Sequence, residues 1–105
     1  MIRAEFFGGK PPKGFQVSGH SGTAPAGEDL VCAAVTSAVR LIETLINDTL
    51  QVGAEVTVEE STATITLRLP DQAPKCAGKA LLALQRYLKE LSLECPDGIG
   101  VVVRK

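Results

Sequence analysis

One sustained helical period, running from Glu28 to about Gly53, constrains the fold more than any other feature of the chain. Val31, Ala34, Val35, Ala38, Val39, Ile42, Leu45, Ile46 and Thr49 fall on one broad face, and Thr36, Ser37, Arg40, Glu43, Thr44, Asn47 and Asp48 take most of the other. The pattern predicts a helix of roughly 25 residues, long for a domain of this size. With 105 residues in all, a single domain is expected, and this helix must be its central packing element. Glu28 and Asp29 stand in its first turn, where carboxylates complement the helix dipole.

The rest of the chain supplies partners for that stripe. Ile2 to Phe7 and Phe15 to Ser18 read as strands, joined across Gly8-Gly9-Lys10-Pro11-Pro12-Lys13-Gly14, where Gly frees φ and Pro fixes it. Gly19 to Gly27 reads as loop. Glu55 to Glu60 and Thr62 to Leu69, rich in Val, Thr and Ile, read as half-buried strands turning near Glu60-Ser61. Pro70 and Pro74 bracket the start of a second helix, whose apolar stripe is Ala77, Leu81, Leu84, Leu88 and Leu91. Ile99 to Val103 reads as a last strand with almost no alternation, expected to be buried on both faces or to lie in a dimer interface. The order β-β-α-β-β-α-β predicts an α/β protein of the α+β kind, with both helices on one face of a mainly antiparallel sheet.

Composition narrows the function. A formal net charge of -1 provides no electrostatic funnel for nucleic acid or anionic lipid, so direct nucleic-acid binding is not expected. Three cysteines without a CxxC pair argue against a disulfide framework or a structural zinc site, and reduced thiols point to the cytoplasm. No apolar stretch approaches a span uninterrupted and no signal-like segment opens the chain, so no membrane association is expected. Gly98-Ile99-Gly100 lacks the third glycine and following helix of a dinucleotide fingerprint, and Gly8-Gly9-Lys10 lacks the phosphate-loop pattern. No cofactor is implied.

Chemistry concentrates around the only histidine, His20. It sits among Gly19, Ser21, Gly22 and Gly27, and Cys32 follows where the long helix begins. Free N–H groups and the dipole at a helix start favour a thiolate, and twelve residues of glycine-rich chain can bring an imidazole to the thiol. Cys32 therefore reads as a nucleophile with His20 as its base, or as a small buried hydrophobe. Asp29, three residues before Cys32 on the same side, either orients His20 or satisfies first-turn donors. The glycines either expose N–H groups as an oxyanion hole or form a flexible loop. Cys76 and Cys95 have no local histidine and fit structural roles.

At these residues the chain resembles the ribosomal-processing cysteine protease family, Prp. The resemblance rests on Gly19-His20-Ser21-Gly22 and on Gly27-Glu28-Asp29-Leu30-Val31-Cys32-Ala33-Ala34-Val35, at matching spacing and length. It implies a homodimeric α/β protease with Cys32 as nucleophile, His20 as base and Asp29 in support. The implied substrate is a short N-terminal extension of a large-subunit ribosomal protein, removed after a Phe-Phe pair during ribosome assembly. Gly19, Ser21, Gly22, Gly27 and Thr36 would serve substrate binding or the oxyanion loop. Two departures from the family pattern stand out: Ser21 followed by Thr23-Ala24-Pro25, where alanine and then an aromatic residue are common, and Thr36, where serine is common. The alternative is a non-catalytic, ribosome-associated binding module of the same fold.

Overall fold

Strand β1 (Ile2–Phe7) alternates buried Ile2, Ala4 and Phe6 with outward Arg3, Glu5 and Phe7, the period of two that lays one face on a core. Strand β2 (Gly14–Ser18) returns antiparallel to it, with Arg3 opposite Ser18 and Phe7 opposite Gly14. Between them the glycine–proline turn closes as expected, the Lys13 N–H donating to the Phe7 carbonyl at 2.8 Å. The computed structural model describes the backbone of residues 1–19 and 26–105 and the side chains of residues 1–19 and 30–105.

Helix α1 (Ala26–Glu43) begins two residues before the expected Glu28, so Gly27 lies in its first turn rather than in the preceding loop. It continues into a wider π-helical turn (Thr44–Thr49), where the Leu50 N–H donates to the Leu45 carbonyl at 2.8 Å. Val31, Val35, Val39 and Ile46 are buried. The run Leu30–Thr49, with a mean hydropathy of 1.5, is long and apolar enough to cross a membrane by length and composition, but here its buried stripe packs in the core of the fold. Beyond the π turn, Asn47 holds the returning chain: its Nδ2 donates to the Ala54 carbonyl at 3.1 Å, and the Ala54 N–H donates to its Oδ1 at 2.8 Å.

Strands β3 (Glu55–Glu59) and β4 (Thr64–Arg68) form an antiparallel hairpin through a short 3-10 turn at Glu60–Thr62. Helix α2 (Lys75–Glu94) starts at Pro74, which occupies the N-cap with extended backbone, and strand β5 (Ile99–Val103) follows. The sheet order is β3-β4-β2-β1-β5, with β5 parallel to β1 and every other pair antiparallel.

Both helices cover the face that carries Ile2, Phe6, Phe15, Val17, Leu67 and Ile99. Phe6 and Phe15 meet at its centre, ring centroids 5.9 Å apart and tilted by 43°. The opposite face is polar, with Arg3 Nε 2.9 Å from Glu5 Oε1 and the Arg68 guanidinium 4.7 Å from the Phe7 ring centroid. This arrangement corrects one expectation. Strand β5 is an edge strand of a sheet covered on one side only, so within one chain it is not buried on both faces: Ile99 is buried on the covered face, whereas Val102, beside Glu5 on the uncovered face, is half-buried.

Candidate active site

The site starts where β2 ends. Gly19 has φ 96°, and a Cβ placed there would run into the Met1 carbonyl. Only glycine fits both conditions without strain, so this residue of the motif has a backbone reason independent of any part in catalysis. His20, Ser21 and Gly22 lie outside the described residues, as do the side chain of Asp29 and any contact it makes with His20. The backbone of Gly27 and Asp29 falls in the first turn of α1.

Cys32 is the seventh residue of α1, half-buried and packed against the core. That position differs from the expected one. The helix gains two residues at its start, so Cys32 is its seventh residue rather than its fifth and stands further from the end whose influence falls off within one turn.

A cleft of about 520 Å³ opens between α1 and the β3–β4 hairpin. Cys32, Thr36, Val39, Arg40 and Glu43 form its helical wall, a stripe at i, i+4, i+7, i+8 and i+11. Val17, Val58 and Ile65 supply apolar surface from the sheet, and Glu59, Glu60 and Ala63 form the far rim. Helix α1 leaves the hairpin partly uncovered: Val58 points into the cleft yet remains 63% exposed. Such a site offers an extended apolar chain a wall of valines, with three carboxylates and one guanidinium along its length.

The structure thus brings Cys32 and Thr36 to one cleft and leaves Cys76 and Cys95 away from it. Cys76 is exposed in the first turn of α2. Cys95 closes that helix with its N–H donating to the Leu91 carbonyl at 2.8 Å. None of the three is in a disulfide, and no cluster of three metal-ligating side chains occurs among the described residues. Arg40, Glu43, Val58, Glu59 and Glu60 were not singled out from the sequence. The helical spacing from Cys32 was available to find the first two. The hairpin residues are brought in by sheet pairing, which no local pattern encodes.

No curated protein matches the sequence. Among solved structures, the fold superposes on SMU.848 from Streptococcus mutans with a TM-score of 0.89 at 17% identity, covering 100% of this chain and 96% of that one. It superposes on the ribosomal processing protease Prp from S. aureus in complex with a substrate peptide, with a TM-score of 0.86 at 16% identity, covering 98% and 99%. With the same protease in complex with a covalently linked product peptide the TM-score is 0.83 at 17% identity, with the same coverage. At these identities the likeness establishes the fold. Residues 1–100 match the sequence model of the family described as Cysteine protease Prp, and on that match the chain belongs to the Prp family of cysteine proteases.

Proposed function

We propose that the protein removes a short N-terminal extension from a large-subunit ribosomal protein by cysteine-protease chemistry at Cys32. The observation that carries this reading is the placement of the Cys32 thiol along an apolar cleft with room for an extended peptide. The S. aureus relative with bound substrate and covalently linked product peptides adds support.

In this reading His20 takes the Cys32 proton as the sulfur attacks the scissile carbonyl, and Asp29 orients the imidazole. The tetrahedral oxyanion is stabilised by backbone donors of the Gly19–Gly27 segment. The amine leaves with the proton from His20, and a water molecule, deprotonated by the same imidazole, hydrolyses the thioester. The mechanism draws on side chains and backbone alone, without a cofactor. Ser21, Gly22, Gly27 and Thr36 border the bound peptide. The reaction takes place in the cytoplasm, where ribosomes assemble, without membrane association.

The protein also acts as a homodimer in this proposal. The outer face of the helical layer exposes Leu41 (68%) and Tyr87 (47%) around a shallow apolar groove between α1 and α2, as a surface covered by a second copy would.

Steady-state cleavage of an extension peptide tests the chemistry. Cys32→Ala is expected to abolish turnover with the fold retained, His20→Ala to lower it by about 10²–10⁴-fold and Asp29→Asn to lower it less. Replacing the Phe-Phe pair of the peptide by alanines is expected to cost more in kcat/KM than reversing its charged residues. Turnover by C32A near that of the wild-type protein overturns the assignment. A wild-type protein that binds the peptide and never cleaves it identifies a binding module instead.

A further inference from the structure

A second cleft, also about 520 Å³, lies at the other end of the sheet. Its walls come from the β1–β2 turn, the chain after β4 and the first turns of α2, whereas the Cys32 cleft is lined from the start of β1 and the end of β2. Its floor is apolar, with buried Pro12 and half-buried Leu69 and Leu82. Gly78 seats α2 against the proline turn on the helix side. A Cβ there would stand 2.9 Å from Pro11 Cγ, so α2 approaches the proline turn as closely as glycine allows.

Around this floor stand Lys10, Lys13, Lys75 and Lys79, four of the six lysines in the chain, all exposed. Among the described residues the only carboxylate lining the cleft is Asp71. None of the four lysines has an ion-pair partner among the described residues, whose ion pairs involve Arg3, Arg104 and Glu5. In a protein of net charge -1, four unpaired ammonium groups around one apolar cleft form a local field of one sign, against the acidic rim of the Cys32 cleft.

We propose that this cleft docks an acidic peptide segment of another protein, one that places an apolar side chain between carboxylates. Charge complementarity selects the carboxylates, and the floor of prolines and leucines selects the apolar side chain. Nucleic acid fits the lining less well. Bases are held by stacking on aromatic rings or arginine planes, and neither residue type lines the cleft among the described residues. The site is separate from Cys32 and its occupation needs no proteolysis.

Fluorescence anisotropy of the full chain with labelled Glu-Asp-Leu-Leu-Asp-Glu tests the proposal. Saturable binding is expected, weakened about tenfold or more by Lys75→Glu with Lys79→Glu, and to a similar degree by Lys10→Glu with Lys13→Glu on a different element. Exchanging both leucines of the probe for serines is expected to weaken binding about tenfold as well. Two independent lysine pairs keep the test decisive should one variant misfold. The proposal is overturned by no binding at about millimolar probe, or by affinity indifferent to the lysine reversals or to the leucines. Tighter binding of an oligouridine than of the peptide also overturns it. So does sedimentation showing that the acidic β3–β4 hairpin of a second copy occupies the cleft. Because the readout is binding of a peptide without the Phe-Phe pair, its failure leaves the protease reading untouched.

Discussion

Gly19 shows how much a single residue can settle. Its left-handed backbone and its close approach to the Met1 carbonyl fix the turn at the end of β2. Gly19→Ala is expected to destabilise the fold by about 1–3 kcal/mol, measured by denaturant unfolding, and to reduce cleavage of the extension peptide. Unchanged stability would show that the turn relaxes freely. Asn47 is the counterexample among single residues. From the sequence it is one more polar residue on the outer face of a long helix. In the structure its amide pairs with both backbone groups of Ala54, because the π turn swings the chain back alongside it. No spacing rule anticipates that clamp, since it depends on where the chain goes seven residues later.

Among the elements, those with a clean period were legible and those defined by pairing were not. The long helix and the Ala77–Leu91 stripe were set by apolar spacing, and Ile99–Val103 was bounded by its turn and its valines. The start of α1 was not, since nothing in Ala26-Gly27 competes with a loop reading, and the two extra residues set Cys32 two positions deeper in the helix. For β5 the alternative of burial on both faces failed, because a run of apolar residues looks alike at a sheet edge and in a sheet centre. For the site, the motif pointed to Cys32, while the hairpin wall came only with the sheet order. Val58 is the element-scale test of that wall. Being 63% exposed, it contributes little to the core, so Val58→Glu is expected to leave the melting temperature nearly unchanged. It is expected to raise KM for an apolar peptide about tenfold with kcat little altered. A change in kcat alone would place the peptide elsewhere.

At the scale of the whole molecule, the two helices do two jobs. Their inner stripes bury the sheet, and their outer surfaces leave Leu41 and Tyr87 in solvent around a shared groove. Leu41→Glu combined with Tyr87→Glu is therefore expected to convert a dimer into a folded monomer in sedimentation velocity, at little cost to the secondary structure. A wild-type protein that is monomeric at about 100 μM would refute the dimer.

The parallel pairing of β1 with β5 has a consequence for time as well as for shape. Strand β1 lies inside the sheet, and one of its two neighbours is synthesised almost a hundred residues after it, Ile2 facing Ile99 and Phe6 facing Val103. Neighbouring backbone groups are tied across the same distance, with the Ile2 N–H donating to the Gly98 carbonyl and the Arg104 N–H to the Phe6 carbonyl. Closing so large a loop is entropically costly and slow, so a growing chain holds an open β1 edge until β5 clears the tunnel. A protease built this way keeps the sheet beside its cleft unfinished until that late strand has been made, so its working form waits on the pairing of its two most distant strands.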